Sequence, residues 1–77
     1  MDRKLQEYYD SQWTMFASEG WQYFIEDMQI LEKNLDNLRT VVNNDDLQFR
    51  KGQLDILRLV LERKAACEKT YEDLSDE

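Results

Sequence analysis

The chain predicts an all-α protein built on an antiparallel helical hairpin with a coiled-coil-like seam. Two observations carry this. From Trp21 the apolar residues Trp21, Phe24, Met28, Leu31, Leu35, Leu38 and Val42 recur at spacings of 3, 4, 3, 4, 3, 4, an unbroken a/d heptad pattern. A second apolar stripe follows the polar run "NNDD" at 43–46. Its members Leu47, Phe49, Leu54, Ile56, Leu57, Val60, Leu61, Ala65, Cys67, Tyr71 and Leu74 fall within an arc of about 180° at helical spacing. A short polar link between two long helices returns the chain antiparallel.

The first of these helices is expected at about 19–43 and the second at about 46–72. "NNDD" supplies the punctuation. Asn43 or Asn44 can take the left-handed conformation that closes a helix, and Asp45 can cap the next, with Gln48 as its capping-box partner. Upstream, Leu5, Tyr9, Trp13, Phe16 and Gly20 keep one stripe, so residues 2–17 read as a third helix. At "SEG" there are two readings. Ser18 can cap a fresh helix, or the helix runs on, continuous or gently kinked, with Gly20 tolerated at about 1 kcal/mol relative to alanine; the continuous form is preferred. Residues 73–77 read as an acidic tail.

Seventy-seven residues make one helical domain at most. Each ordered residue costs about 1.5 kcal/mol, which small cores offset with difficulty. Cys67 is the only cysteine and there is no histidine, so neither an internal disulfide nor a Cys/His zinc site can help. Regular helix packing or self-association remains. Apolar residues at 42% and charged residues at 35% describe a patterned chain rather than a disordered one. No apolar run approaches the length of a membrane span, and "MDRKLQEYYD" lacks the apolar core of a secretory signal. Cytoplasmic synthesis with a reduced thiol is expected.

The net charge of −7 is unevenly placed. Residues 1–48 carry ten acids and four bases, residues 49–71 three acids and six bases, and the terminal "EDLSDE" four more acids. Opposite charge on the two long helices favours an antiparallel pair, although each exposed ion pair contributes only about 0.2–1 kcal/mol.

Seven of the nine aromatic residues lie between Tyr8 and Phe24. A two-helix hairpin presents one seam, which Leu47, Leu54, Leu57 and Leu61 can fill. Phe49, Ile56, Val60, Cys67 and Leu74 lie on the other flank of the arc and need a different cover. Large apolar patches mark interaction sites, and Trp and Tyr are favoured anchors. Tyr9, Trp13, Phe16, Trp21, Phe24, Phe49, Ile56 and Val60 are therefore the candidate partner-binding residues. The competing arrangement folds residues 2–17 back as a third helix of a bundle and buries the aromatics internally. Arg50, Lys64 and Glu68 sit inside the apolar arc, where their stems can cover apolar surface or their charges can pair across an oligomer interface.

Catalytic signatures are lacking. Without histidine no Ser-His-Asp or Cys-His arrangement exists, and a lone cysteine on an apolar face is usually a small buried hydrophobe. Glu26/Asp27 and Glu72/Asp73 read as solvated helix charges. "DNLRTVVNNDD" has neither the oxygen spacing nor the glycine of a calcium loop, and "ASEGWQ" and "FRKGQL" match no phosphate-binding pattern. Neither a catalytic residue, a cofactor, a metal nor a small-molecule substrate is expected. The two RK pairs at 50–51 and 63–64 make too small a basic footprint on an acidic chain for direct nucleic-acid binding.

"FASEGWQYFIEDM" and "DLQFRKGQLDILRLVL" together resemble a pattern in small helical proteins of tailed, T7-like bacteriophages. The resemblance covers roughly residues 13–61 and rests on Phe16, Glu19, Gly20, Trp21, Phe24, Leu47, Phe49, Gly52, Gln53, Leu54 and Leu57. It implies a phage accessory or structural protein made in the bacterial cytoplasm, in or out of the virion. The expected function is a non-enzymatic assembly module that self-associates or docks on a larger phage or host protein. The alternative is a small acidic inhibitor of a host protein, competing with nucleic acid for a basic surface.

Overall fold

The computed structural model describes residues 1–76. Four α-helices follow one another: α1 Arg3–Phe16, α2 Glu19–Leu35, α3 Asn44–Leu61 and α4 Arg63–Ser75, with a 3₁₀ turn Leu38–Thr40 between α2 and α3. There is no strand among the described residues. Helix α2 packs on α3, and α1 packs on α4.

Each start has a side-chain reason. The Asp2 carboxylate accepts the Leu5 N–H at 2.7 Å and opens α1. The chain does not run helically through "SEG", and the continuous-helix expectation is corrected here. Ser18 is extended (φ −75°, ψ 150°), its Oγ accepts the Trp21 N–H at 3.1 Å, and the same hydroxyl donates to the Met15 carbonyl at 2.6 Å. One hydroxyl thus ties the last turn of α1 to an orphan N–H of α2, a link that an unbroken helix would not need. Gly20 sits inside α2 and plays no part in the turn.

Helix α2 ends at Leu35, well short of the expected residue 43. The Asn37 carboxamide accepts the Arg39 N–H at 3.1 Å and diverts the backbone into the 3₁₀ turn. The β-branched run Thr40, Val41, Val42 gives the helix little reason to resume. Leu38 and Val42, the last members of the heptad stripe, consequently leave α2 and are exposed. No residue among those described adopts positive φ, so the expected left-handed asparagine is not used. Asn43 is instead the N-cap of α3, accepting the Asp46 N–H at 2.8 Å, while the Asp46 carboxylate accepts the Val42 N–H at 3.1 Å. The cap is therefore Asn43 with Asp46, not Asp45 with Gln48.

Arg50 holds this connection in place. Its guanidinium donates to Thr40 Oγ1 (2.6 Å) and to the Thr40 carbonyl (3.0 Å), and its Nε lies 3.2 Å from the Asp46 carboxylate. Its hydrogen bonds and its ion pair are all made within the chain. Only one other ion pair, Arg3 with Glu7, is found among the described residues, and it too lies within one helix. The expected attraction between oppositely charged helices takes no ion-paired form.

The second long helix is interrupted at Glu62, where ψ is 1°. No proline, glycine or capping side chain marks the position. The bend instead lies where α4 meets α1: Arg63 donates to the Tyr8 hydroxyl at 2.6 Å. Helix α4 then continues to Ser75, so most of the expected acidic tail is helical; residue 77 lies outside the described residues.

The core is small. Tyr9, Phe16, Leu57 and Cys67 are its buried residues. Extents of 51 × 27 × 16 Å and a radius of gyration of 16.6 Å describe an elongated plate, whereas a compact chain of this length would have a radius near 11.5 Å.

Two substitutions test the connections. Ser18→Ala should cost about 1 kcal/mol, and Arg50→Met, which keeps the apolar stem, about 1–3 kcal/mol. Both should be read as lower urea midpoints with unchanged denaturant slope.

Candidate docking surface

The aromatic end folds inward. Tyr9 and Phe16 are only 5% and 4% exposed. Tyr71 of α4 meets Tyr9 edge-on at 5.2 Å and Trp13 at 5.4 Å between ring centroids. The rings continue from Tyr9 to Trp13, Phe16, Trp21 and Phe24 with successive spacings of 5.0–6.1 Å. Such edge and offset geometries add about 0.5–1.5 kcal/mol per pair beyond the area they bury. Tyr9 and Phe16, proposed as docking anchors from their stripe, are therefore internal core residues. Trp13 and Trp21 are half-buried in the same cluster. Cys67 is buried as well and requires no external cover.

Around the α2–α3 seam the picture differs. Leu57 is buried, and Leu47, Leu54 and Leu61 are half-buried, as their spacing on α3 requires. From α2 the half-buried residues are Trp21, Ile25, Met28, Glu32 and Leu35. The helix is rolled so that Trp21, Met28 and Leu35, alternate members of the heptad stripe, turn toward the seam, while Phe24 and Leu31 remain exposed. Ile25 and Glu32 take their place. Sequence periodicity missed this pair because a glutamate does not count toward an apolar stripe.

The result is an open apolar groove of about 640 Å³ along one side of the α2–α3 layer. Leu31 and Leu35 form one wall; Phe49, Gly52, Gln53 and Ile56 form the other. Phe49 and Ile56 are 67% and 62% exposed. At helical spacing Phe49, Gly52, Gln53, Ile56 and Val60 share this side of α3, and none is charged. Arg50, Lys51, Asp55 and Arg58 lie elsewhere around the helix. Depletion of charge is the compositional mark of an interface core. Of the expected anchors, Phe49 and Ile56 stand here, Val60 is half-buried on the same side, and Phe24 is exposed on α2. Leu31, Leu35 and Gly52 belong to the groove and were not among the candidate partner-binding residues.

No family model matches the chain, and no curated protein or solved structure is significantly similar to it.

For chemistry the surface offers little. No group of three or more His, Cys, Asp or Glu side chains among the described residues is placed to hold a metal ion. No helix among them is long and apolar enough to cross a membrane. The second flank of the seam, by contrast, gathers Glu32, Lys33, Asp36 and Arg58 around Leu54.

The division between core and surface aromatics can be measured directly. Tyr71→Ala should lose about 2–4 kcal/mol of stability. Phe49→Ala, at a protein concentration low enough to keep chains apart, should stay within about 0.5 kcal/mol of the parent. Thermal or urea unfolding reads both.

Proposed function

We propose that this chain is a non-enzymatic helical interaction module, an antiparallel α2–α3 hairpin prolonged by the α1–α4 pair, that docks through the open side of α2 and α3. The observation that carries the reading is the uncharged groove flanked by exposed Phe49 and Ile56. Apolar side chains of this size, contiguous and charge-free, gain from being covered by another apolar surface at about 25 cal/mol per Å². Phe24, Phe49 and Ile56 are its anchors. Trp13 and Trp21 support the cluster behind them. A phage accessory or structural protein working in bacterial cytoplasm, self-associating or seated on a larger phage or host protein, fits this design.

A second reading has its own support. Glu19, Glu26, Asp27 and Glu32 crowd α2 against Lys33, with no ion pair to another helix among the described residues. Such a surface suits an acidic inhibitor binding a basic host protein in competition with nucleic acid. Salt separates the two modes: exposed charge interactions beyond about 10 Å are screened at 0.1 M, whereas apolar contact is not.

A photo-crosslinking side chain placed at Phe49 or Ile56, with a control at Asp55, tests the docking face in cells that make the protein. Adducts from positions 49 and 56, absent from 55 and insensitive to salt during capture in extract, are expected. Adducts from 55 alone, or none from 49 and 56, would remove the proposal.

A further inference from the structure

Helix layers in stable domains come in twos, because one layer leaves half of each helix uncovered. This molecule is elongated, 51 × 27 × 16 Å, with more of each helix uncovered than in a compact fold of its size. Its accessible surface is 6263 Å². A compact monomer of 9.4 kDa would expose about 5000 Å². The surplus exceeds the roughly 800 Å² per partner that a standard interface buries, so this chain carries enough uncovered surface for a stable dimer.

The open face is also arranged symmetrically. Phe49 lies three residues before Gly52, and Ile56 three residues after Gln53. A two-fold axis through Gly52–Gln53 therefore sets Phe49 of each copy against Ile56 of the other, with the two α3 helices antiparallel. Self-complementary patches of this kind generate closed two-fold dimers. Gly52 fits such a crossing. Its φ is not positive, and a Cβ built on it meets nothing within 4 Å of its own chain. Within the monomer it serves neither a turn nor a close approach, yet it weakens the helix relative to alanine. At an α3–α3 crossing its missing side chain lets a second backbone come near.

We propose that a second copy of this chain covers the groove, forming an antiparallel dimer whose α3 helices cross at Gly52–Gln53. The inference rests on the docking face argued above and names its occupant.

The test uses the full chain. Sedimentation equilibrium should show a dimer, little changed by salt, that Phe49→Glu weakens at least tenfold, since the substitution enters the interface twice. Gln53→Cys should form a 53–53 disulfide between copies under mild oxidation, identified by peptide mapping, and Asp55→Cys should not. Gly52→Leu should weaken dimerisation at least tenfold while raising the thermal midpoint measured at dilutions where the chain is monomeric, a pair of opposite effects that misfolding cannot produce. A monomer at every concentration would overturn the self-dimer. Crosslinks from positions 49 and 56 to a protein of different mass would then leave the docking face standing, and their absence would end both. A dimer linked through 55 rather than 53 would overturn the crossing.

Discussion

The packing of α1 on Tyr71 is the contact on which the rest of the molecule depends. Between them α2 and α3 contribute only Leu57 to the buried core, and most helical stability in proteins comes from tertiary packing of an apolar face. The α1–α4 pair supplies the remaining buried residues, Tyr9, Phe16 and Cys67, two of them aromatic rings. Rings suit a two-helix contact. Tyr9 and Trp13 each reach Tyr71 of α4, and the chain of ring contacts from Tyr9 to Trp21 carries the packing across the Ser18 break into α2. The break is tolerated because side-chain stacking bridges it where backbone hydrogen bonds do not.

Polar side chains do the complementary work of fixing where the helices stop. Ser18 links the end of α1 to the start of α2, and Asn37, Asn43, Asp46 and Arg50 shape the connection from α2 to α3. Only one glycine lies in each of α2 and α3, and neither serves a turn. Every reversal is made with hydrogen-bonding side chains at negative φ. Such turns are specified by several weak contacts together, so the geometry of α2 against α3 follows from the caps as much as from the seam.

Local features were readable in the sequence where a residue acts alone. The all-α class and the role of Leu47, Leu54, Leu57 and Leu61 on one side of α3 follow from spacing and side-chain type, whereas spacing left the break at Ser18 open. What spacing cannot express is which way a stripe turns. The Tyr9–Phe16 stripe is equally apolar facing a partner or facing α4, and only Tyr71, more than fifty residues away in the chain, decides between them. The end of α2 was hidden for another reason: Leu38 and Val42 complete a heptad by type, but the Asn37 side chain outcompetes helical backbone bonding locally. The bend at Glu62 has no sequence mark; beside it Arg63 meets Tyr8 of α1, a contact between residues 55 apart in the chain. On the open apolar side of α2 and α3, the exposure of Phe49 and Ile56 agrees with the width of the apolar arc, whereas Leu31 entered only after α2 rolled Ile25 and Glu32 into the seam.

That roll gives the molecule its two unlike flanks. One carries Glu32, Lys33, Asp36 and Arg58 and meets water readily; the other carries Leu31, Phe49 and Ile56 and meets it at a cost. A net charge of −7 keeps chains apart at long range. At physiological ionic strength the Debye length is about 8 Å, so that repulsion fades for charges held on the far side of a 16 Å plate. Segregating charge from the uncharged α3 face thus lets one small chain remain dispersed by its acidic side while keeping an apolar side available for contact. A thicker, rounder fold of the same sequence would bury Phe49 and Ile56 within itself and leave no such face.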